Sequence, residues 1–334
     1  METIPLPQDA EKAVLAVLGG TPLATSAARI GIQPSDLADA VQVYCEAGRS
    51  ALRNQAPGWQ HLNIEFCNWA TAEHTVATHI GPALQQAQAN GTLAAWWFLR
   101  KHPCWRLRYR ATPTTTANEA TAALTSVLDA LTATGRVQRW WESHYEPEIL
   151  AFGGPAGIGP AHHLFHADSA GILSYLRNND PEQVAHRRVG RREVAVLWCT
   201  TLLRNARLDR HEQGDVWHRV CQMRPRPSGT VTPQATASQL RRLLSVDTSP
   251  TSPLFEATGP LWYAASWFTA AGTTGRHLAT AGHNGTLDRG LRAILAHHVI
   301  FHLNRIGLSA HVQAALSHTA RDVLMTPLSP IAQD

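Results

Sequence analysis

The chain has 334 residues, 44% hydrophobic and 16% charged, with a formal net charge of +4 and a pI near 9.0. That balance excludes a disordered polymer, and the length suffices for one large domain or two smaller ones. Lysine occurs only at Lys12 and Lys101, so the positive charge is nearly all arginine. With abundant alanine this reads as compositional bias, which leaves charge alone no argument for nucleic acid, although a basic balance does favour an acidic partner such as a peptide.

Cys45, Cys67, Cys104, Cys199 and Cys221 are odd in number and form no CxxC. Neither a disulfide framework nor a zinc site is expected, and a reducing cytoplasm is the simplest location. Residues 1–9 are polar and acidic, without a secretory signal. No apolar run approaches the roughly 20 residues that span a bilayer.

Residues 10–18 carry apolar side chains at helical spacing and stop at Gly19-Gly20. A short helix is expected at 24–29, then a turn with Ser35 as N-cap of a helix at 36–47. This helical module, residues 1–56, has the outline of a helix-turn-helix. A DNA reader needs Arg, Lys, Asn or Gln where this chain has Asp36 and Asp39, which repel phosphate. A packing or peptide-docking module is expected instead.

Residues 57–334 form the second predicted domain. A strand at 61–66 alternates Leu62, Ile64 and Phe66 with polar residues. A helix at 71–89 should bend at Gly81-Pro82, and Asn90-Gly91 turns the chain into a hairpin. Its two strands meet at His102-Pro103. The second strand throws Arg106, Arg108 and Arg110 to one face and Trp105, Leu107 and Tyr109 to the other. The arginine row reads either as an anion or carboxamide clamp or as a wet outer face. A helix at 117–134, ended by Gly135, and a strand at 136–144 follow. The expected class is α+β, a mixed β-sheet covered by helices.

Residues 152–159 are glycine-rich but match no phosphate-loop pattern, and a mobile loop beside a site is expected there. His162 and His166 share a helical face without a third ligand, so no metal is expected. Asp168 or Ser169 should cap a helix at 170–177. Helices are expected at 191–207 and 214–223, with a loop-like lid or insertion at 224–252 enclosing a short helix at 238–244. Residues 261–271 bear Trp262, Tyr263, Ser266 and Trp267. One long helix at 286–308 carries His297, His298, His302, Asn304 and Arg305.

Several motifs now stand in order: Trp59 with the strand 62–66, Cys104-Trp105-Arg106-Leu107-Arg108-Tyr109, and Tyr145-Glu146-Pro147-Glu148 continuing to Phe152-Gly153-Gly154. Phe165-His166-Ala167-Asp168-Ser169 and His302-Leu303-Asn304-Arg305 complete them. In this order and spacing, over about residues 57–310, the chain resembles the thiopeptide-type bacteriocin biosynthesis family. That family's domain is similar to the C-terminal elimination domain of class I lantibiotic dehydratases. The patterns are H-x-R-x-R-[FY], Y-x-P-E-x-x-R-[YF]-G-G, F-H-x-D-S and H-x-N-R. Cys104 stands where the first has histidine, and Ala151 where the second has arginine.

In full dehydratases the domain removes glutamate from glutamylated serine or threonine, and the family's arginines and late histidine are thought to serve that step. Losing a bidentate carboxylate partner at Ala151 weakens the case for a glutamyl leaving group. The single-chain architecture fits instead the stand-alone relatives that perform a formal [4+2] aza-cycloaddition between two dehydroalanines, closing a pyridine within a macrocycle. The resemblance implies a leader-bearing, azole- and dehydroalanine-containing precursor peptide and other enzymes of its pathway as partners. It implies no cofactor, no nucleic acid and no membrane. Expected catalytic residues are Arg106, Arg108, Ser169, Tyr175, Tyr263, Ser266 and His302. Expected substrate-binding residues are Trp97, Trp105, Asp168, Trp262, Trp267 and Asn304. The alternatives are a split dehydratase elimination subunit and a non-catalytic peptide-binding protein.

Overall fold

Apolar residues at helical spacing build three helices at the start of the chain: α1 (Pro7–Leu18), α2 (Leu23–Ile30) and α3 (Pro34–Asn54). They bury Ala13, Val14, Ala27 and Leu37 against one another. Asp36 and Asp39 are exposed on α3. Ser35 is not the expected cap, because Pro34 already starts the helix and the Ser35 hydroxyl turns to the Asp36 carboxylate. The computed structural model describes residues 7–54, 58–178, 189–226 and 234–326. The chain divides into two units, Met1–Pro57 and Gly58–Asp334.

The second unit begins with β1 (Trp59–Phe66), then α4 (Trp69–Thr75), a π-helical turn (Val76–Ile80) and α5 (Gly81–Ala89). The hairpin β2 (Leu93–Lys101) and β3 (Cys104–Ala111), α6 (Ala117–Ala133) and β4 (Val137–Ser143) follow. The Thr116 hydroxyl and the Glu119 carboxylate form a capping box that fixes the start of α6. The sheet order is β2-β3-β1-β4, the split β-α-β-β-α-β arrangement. The α+β class is as expected, but the sheet is antiparallel throughout and not mixed. β3 inserts between β1 and β2, so those two strands, joined by a helical crossover, never pair.

Strand alternation gives the sheet two unlike faces. Leu62, Ile64, Phe98, Trp105, Leu107 and Tyr109 belong to the apolar core with Leu84, Leu124 and Leu128 of α5 and α6. The opposite face carries Trp59, His61 and Asn63 of β1, in register with Arg110, Arg108 and Arg106 of β3.

The helical layer comprises α7 (Pro155–Asn178), α8 (Arg191–Asn205), α9 (Arg210–Met223), α10 (Gln234–Ser245), α11 (Ala265–His283), α12 (Leu291–Arg305) and α13 (Ala310–Met325). Every residue from Val194 to Leu203 of α8 is buried, so this helix is apolar all round and central. The expected glycine-rich loop, from Pro155 onward, and the short capped helix are instead the single helix α7. Pro155 opens it and Pro160 lies inside, where a proline costs ~3 kcal/mol or more. Burial of Leu164, Phe165, Ile172 and Leu173 outweighs that, at about 1.5–3 kcal/mol each. Asp168 and Ser169 are therefore mid-helix and fully buried, not caps.

The long helix expected at 286–308 is shorter. Before Gly290 the backbone is used differently: Asp288 N–H donates to the Gly153 carbonyl (3.1 Å). Gly154, at φ +82°, leaves no room for a side chain beside the Asp288 carboxylate. α13 lies beyond the elements read from the sequence and is capped by the Ser309 hydroxyl, which accepts from Val312 N–H at 3.3 Å. No helix among the described residues is long and apolar enough to cross a membrane.

Candidate active site

Arg108 is the centre of the polar sheet face. Its guanidinium carbon lies 4.4 Å from the Trp97 ring centre and 5.0 Å from that of Tyr145. It is 6% exposed, and Nε and Nη1 are buried without a hydrogen-bond partner. Burial lowers its pKa to about 10; nearby Tyr145 works against the shift and Arg106 adds to it.

Flat side chains surround this cation. Trp59 meets Trp97 and Tyr145 edge-on, both at 6.3 Å, and tilts over His162 at 4.9 Å. Phe165 of α7 closes the cage against Trp97 at 4.8 Å. The Tyr145 hydroxyl and His162 Nε2 share a hydrogen bond of 2.8 Å. Burial, then the charge of Arg110, pushes the His162 pKa down to about 4, so the ring is neutral. Burial raises the Tyr145 pKa. His61, opposite Arg108 in the register, lies with Nδ1 3.2 Å from the His144 carbonyl and has an unpartnered Nε2. Burial and Arg108 lower its pKa to about 4.

A second cluster adjoins the first through Arg305, whose guanidinium lies 4.8 Å from Phe165 and 5.8 Å from Trp97. Asp168 Oδ1 accepts from the Trp267 indole N–H (2.9 Å) and from His302 Nδ1 (2.8 Å), and Oδ2 accepts from Arg305 Nη1 (2.5 Å). Burial pushes the Asp168 pKa up, but His302 and Arg305 outweigh it and hold the carboxyl below its ordinary value. His302 stacks on Trp198 at 4.0 Å, nearly parallel, and its Nε2 has no partner. Trp267 reaches Asp168 because Gly171 has no side chain; a Cβ there would stand 2.2 Å from the indole.

A third set of contacts completes the outer edge of β2. The Ser169 hydroxyl accepts from Phe98 N–H (3.2 Å), and Arg305 Nε donates to the Phe98 carbonyl (2.9 Å). His166, protonated at Nδ1, donates to the Trp96 carbonyl (2.8 Å). Its bare Nε2 then accepts from the Gln88 amide (3.2 Å), whose oxygen accepts from the Trp96 indole (3.0 Å). An unpaired strand edge is thus satisfied by side chains.

The expected site residues are distributed accordingly. Arg108 and Trp97 lie together, with Arg106 further along the same face. Asp168, Trp267 and His302 share the second cluster, and Ser169 is held by a backbone amide. Trp105, expected as a stacking wall, faces the other side of the sheet and packs on Phe66 and Phe98, because neighbours on a strand point oppositely. Asn304 is committed to Arg224 and Gln313, which both donate to its side-chain oxygen. Trp262, in the 3-10 turn before α11, and Ser266, in the first turn of α11, are exposed. Burial, then Tyr175, raises the Tyr263 phenol, while the Tyr175 hydroxyl donates to the Val189 carbonyl at 3.2 Å. His162 and His166 bond to Tyr145 and to the Trp96 backbone, not jointly to a third group.

Tyr145, His162, Trp59, His61 and Arg305 are in the cage or beside it without having been chosen. Trp59 and His61 continue the alternation that Arg108 follows on β3, and Arg305 is one turn beyond His302. Tyr145 lies in an aperiodic stretch, and the Y-x-P-E motif alone marked it. Together the groups offer guanidinium N–H donors, a phenol paired with a neutral imidazole, and flat walls for a planar ligand.

The family described as lantibiotic biosynthesis dehydratase C-term matches residues 59–324. No curated protein matches. Among solved structures, the tRNA-dependent lantibiotic dehydratase MibB from Microbispora sp. 107891 is similar with a TM-score of 0.62 at 17% identity. That likeness covers 80% of this chain, which spans 28% of MibB. TbtD, a pyridine synthase from thiomuracin biosynthesis, gives a TM-score of 0.58 at 12% identity over 80% of this chain and 98% of its own. TsrL gives 0.54 at 16% identity over 81% and 99%. At such identities the likeness is one of fold.

Proposed function

The chain belongs to the lantibiotic biosynthesis dehydratase C-terminal family, and we propose that its reaction is the closure of a pyridine ring in a modified peptide by formal [4+2] aza-cycloaddition. One dehydroalanine and its adjacent amide, as the iminol tautomer, supply the azadiene; a second dehydroalanine is the dienophile. Two σ-bonds form between them. Loss of water from the former iminol carbon, then of the leader segment as a carboxamide from the dienophile's α-carbon, makes the ring aromatic.

The observation that carries this reading is the setting of Arg108: a buried guanidinium facing aromatic rings, with no salt-bridging carboxylate among the described residues. Such a group suits an amide oxygen that gains negative charge as it tautomerises, because the donor is already desolvated and aimed. Tyr145 is the proton donor for the departing hydroxyl, with His162 positioning the phenol. Trp59, only half-buried at the edge of the cage, is the surface on which an azole stacks, backed by the buried Trp97. His302 is a positioning residue, since it acts on Asp168 and so on Arg305. Holding both dehydroalanines together supplies the larger share of the rate.

The test is mass spectrometry after incubation with a bis-dehydroalanine, azole-bearing peptide. Joint loss of water and leader in one macrocyclic product is expected. The uncompensated charge of Arg108 also favours a second reading, recognition of a glutamyl carboxylate and elimination of glutamate. A glutamylated peptide that yields free dehydroalanine and no macrocycle would replace the first reading with the second.

A further inference from the structure

The buried histidines around the cage are not alike. His162 Nε2 is paired with Tyr145, and His166 spends Nδ1 on the Trp96 carbonyl and Nε2 on Gln88. His302 serves Asp168 in the second cluster. His298 packs on Phe152 and Phe165 with both nitrogens bare, so no hydrogen bond selects its tautomer. His61 differs from all of these. A peptide carbonyl can only accept, so the 3.2 Å contact between His61 Nδ1 and the His144 carbonyl puts the ring proton on Nδ1. Nε2 then carries a lone pair, and it is buried without a hydrogen-bond partner among the described residues.

The sheet decides what that lone pair stands beside. His61 of β1 is in register with Arg108 of β3 on one side and with Ser143 of β4 on the other. Opposite residues of an antiparallel pair share a face, with Cβ atoms about 4.5–5.5 Å apart. A bare imidazole and a desolvated guanidinium are therefore neighbours. Burial and Arg108, then Arg106, keep the ring neutral. Asn63, next on the same face of β1, works the other way and favours the protonated ring, though it makes no hydrogen bond to the bare Nε2. The carbonyl that holds Nδ1 belongs to the peptide bond leading into Tyr145, so one bend of the chain positions both the imidazole and the phenol.

We propose that His61 Nε2 is the general base of this site and takes the N–H proton of the amide whose oxygen Arg108 polarises. That the proton is an amide's rests on the function proposed above; the base itself does not. The N–H electron pair becomes the C=N bond, and the C=O π pair moves onto the oxygen beside Arg108. His61 is then an imidazolium. Negative charge growing on the oxygen offsets the Arg108 charge that opposes imidazolium, so the base strengthens as the proton moves. Nε2–H hands the proton to that oxygen, which completes the iminol and returns His61 to its neutral form.

Two variants separate chemistry from structure. His61→Asn retains an amide N–H for the His144 carbonyl and lacks Nε2. His61→Gly leaves a ring-sized space that imidazole from solution can fill. With the full chain and a bis-dehydroalanine, azole-bearing peptide, His61→Asn should lose about 100-fold or more in kcat with KM little changed. Imidazole should restore turnover to His61→Gly but not to His61→Asn, and thermal midpoints check that both are folded. Independently of turnover, histidine-selective nitrogen NMR, assigned by the signal missing from His61→Asn, should show a neutral ring protonated at Nδ1 at neutral pH.

A ring protonated at Nε2 overturns the proposal. So does His61→Asn working at the wild-type rate, which leaves ring closure intact, and so does a folded His61→Gly that imidazole leaves inactive. If the wild type closes no ring but releases glutamate from a glutamylated peptide, the proposed function fails on its own. The base is then judged by that elimination, which His61→Asn should slow by about the same factor and which an unchanged rate would take from it.

Discussion

The guanidinium of Arg108 stands 4.4 Å from the centre of the Trp97 indole, while the Arg305 guanidinium stands 5.8 Å from the same ring. The two cations are not equivalent. Arg305 is neutralised by Asp168 at 2.5 Å, whereas Arg108 faces rings and has two nitrogens, Nε and Nη1, without a hydrogen-bond partner. A cation–π contact returns about 0.5–2 kcal/mol. Desolvating an ion costs several kcal/mol. Arg108 is thus held at a net cost, as expected of a group kept for a ligand.

Replacing Arg108 with methionine should therefore leave the thermal midpoint unchanged or raise it, while product formation falls by about 100-fold or more. Parallel melting curves and turnover measurements check this. A midpoint lowered by many degrees would make Arg108 a structural residue instead.

Tyr145→Phe removes one hydroxyl from the His162 hydrogen bond and keeps the ring beside Arg108. The rate of ring closure should drop by about 100-fold, the usual worth of a positioned acid, with little change in peptide affinity. Equal losses in rate and affinity would assign the phenol to binding.

Acid should destabilise the fold before its carboxylates titrate. His61 and His162 have pKa values of about 4 and His298 of about 3, against 6.5 when unfolded. Above pH 6.5 both states are neutral at these rings, so they contribute nothing. Below it the unfolded chain binds protons that the native rings refuse, and stability falls down to about pH 4. His298 faces Phe152 and Phe165, and burial, then Arg305 and His297, lowers its pKa while Asp168 opposes. Thermal midpoints measured from pH 7.5 to 4.5 should decline, and His298→Leu should flatten the decline. A profile unaltered by that change would sink the assignment.

Asp168→Asn places an amide among three N–H donors, those of Trp267, His302 and Arg305. Breaking a buried ion pair from one side costs about 3–5 kcal/mol. Urea midpoints should fall accordingly, and adding Arg305→Met should recover part of the loss. If Asp168→Asn abolished turnover at unchanged stability, the carboxylate would act in the chemistry.

The alternation on β3 made the arginine face and the Trp105 face readable, because a period of two leaves no other arrangement once one face is buried. The same rule, applied to β1, reaches Trp59 and His61. α7 was not readable. Pro160 and the glycines at 157 and 159 mimic a loop, and only the burial of Leu164, Phe165, Ile172 and Leu173 makes the segment helical. That misreading turned Asp168 from a buried charge into a cap. Tyr145 and Asn304 depend on contacts with distant segments, which no local pattern encodes.

The β2 edge has a history as well as a geometry. Phe98 gains its outer partners from Ser169, 71 residues later, and from Arg305, 207 residues later. At synthesis rates of about 5–20 residues per second, the Phe98 carbonyl waits on the order of 10–40 seconds for Arg305 to emerge. During that interval the nascent sheet carries an open edge, where another chain can add a strand. Folding yield in the cell should then depend on chaperones engaging the chain before α12 is made, and on how densely ribosomes crowd its message.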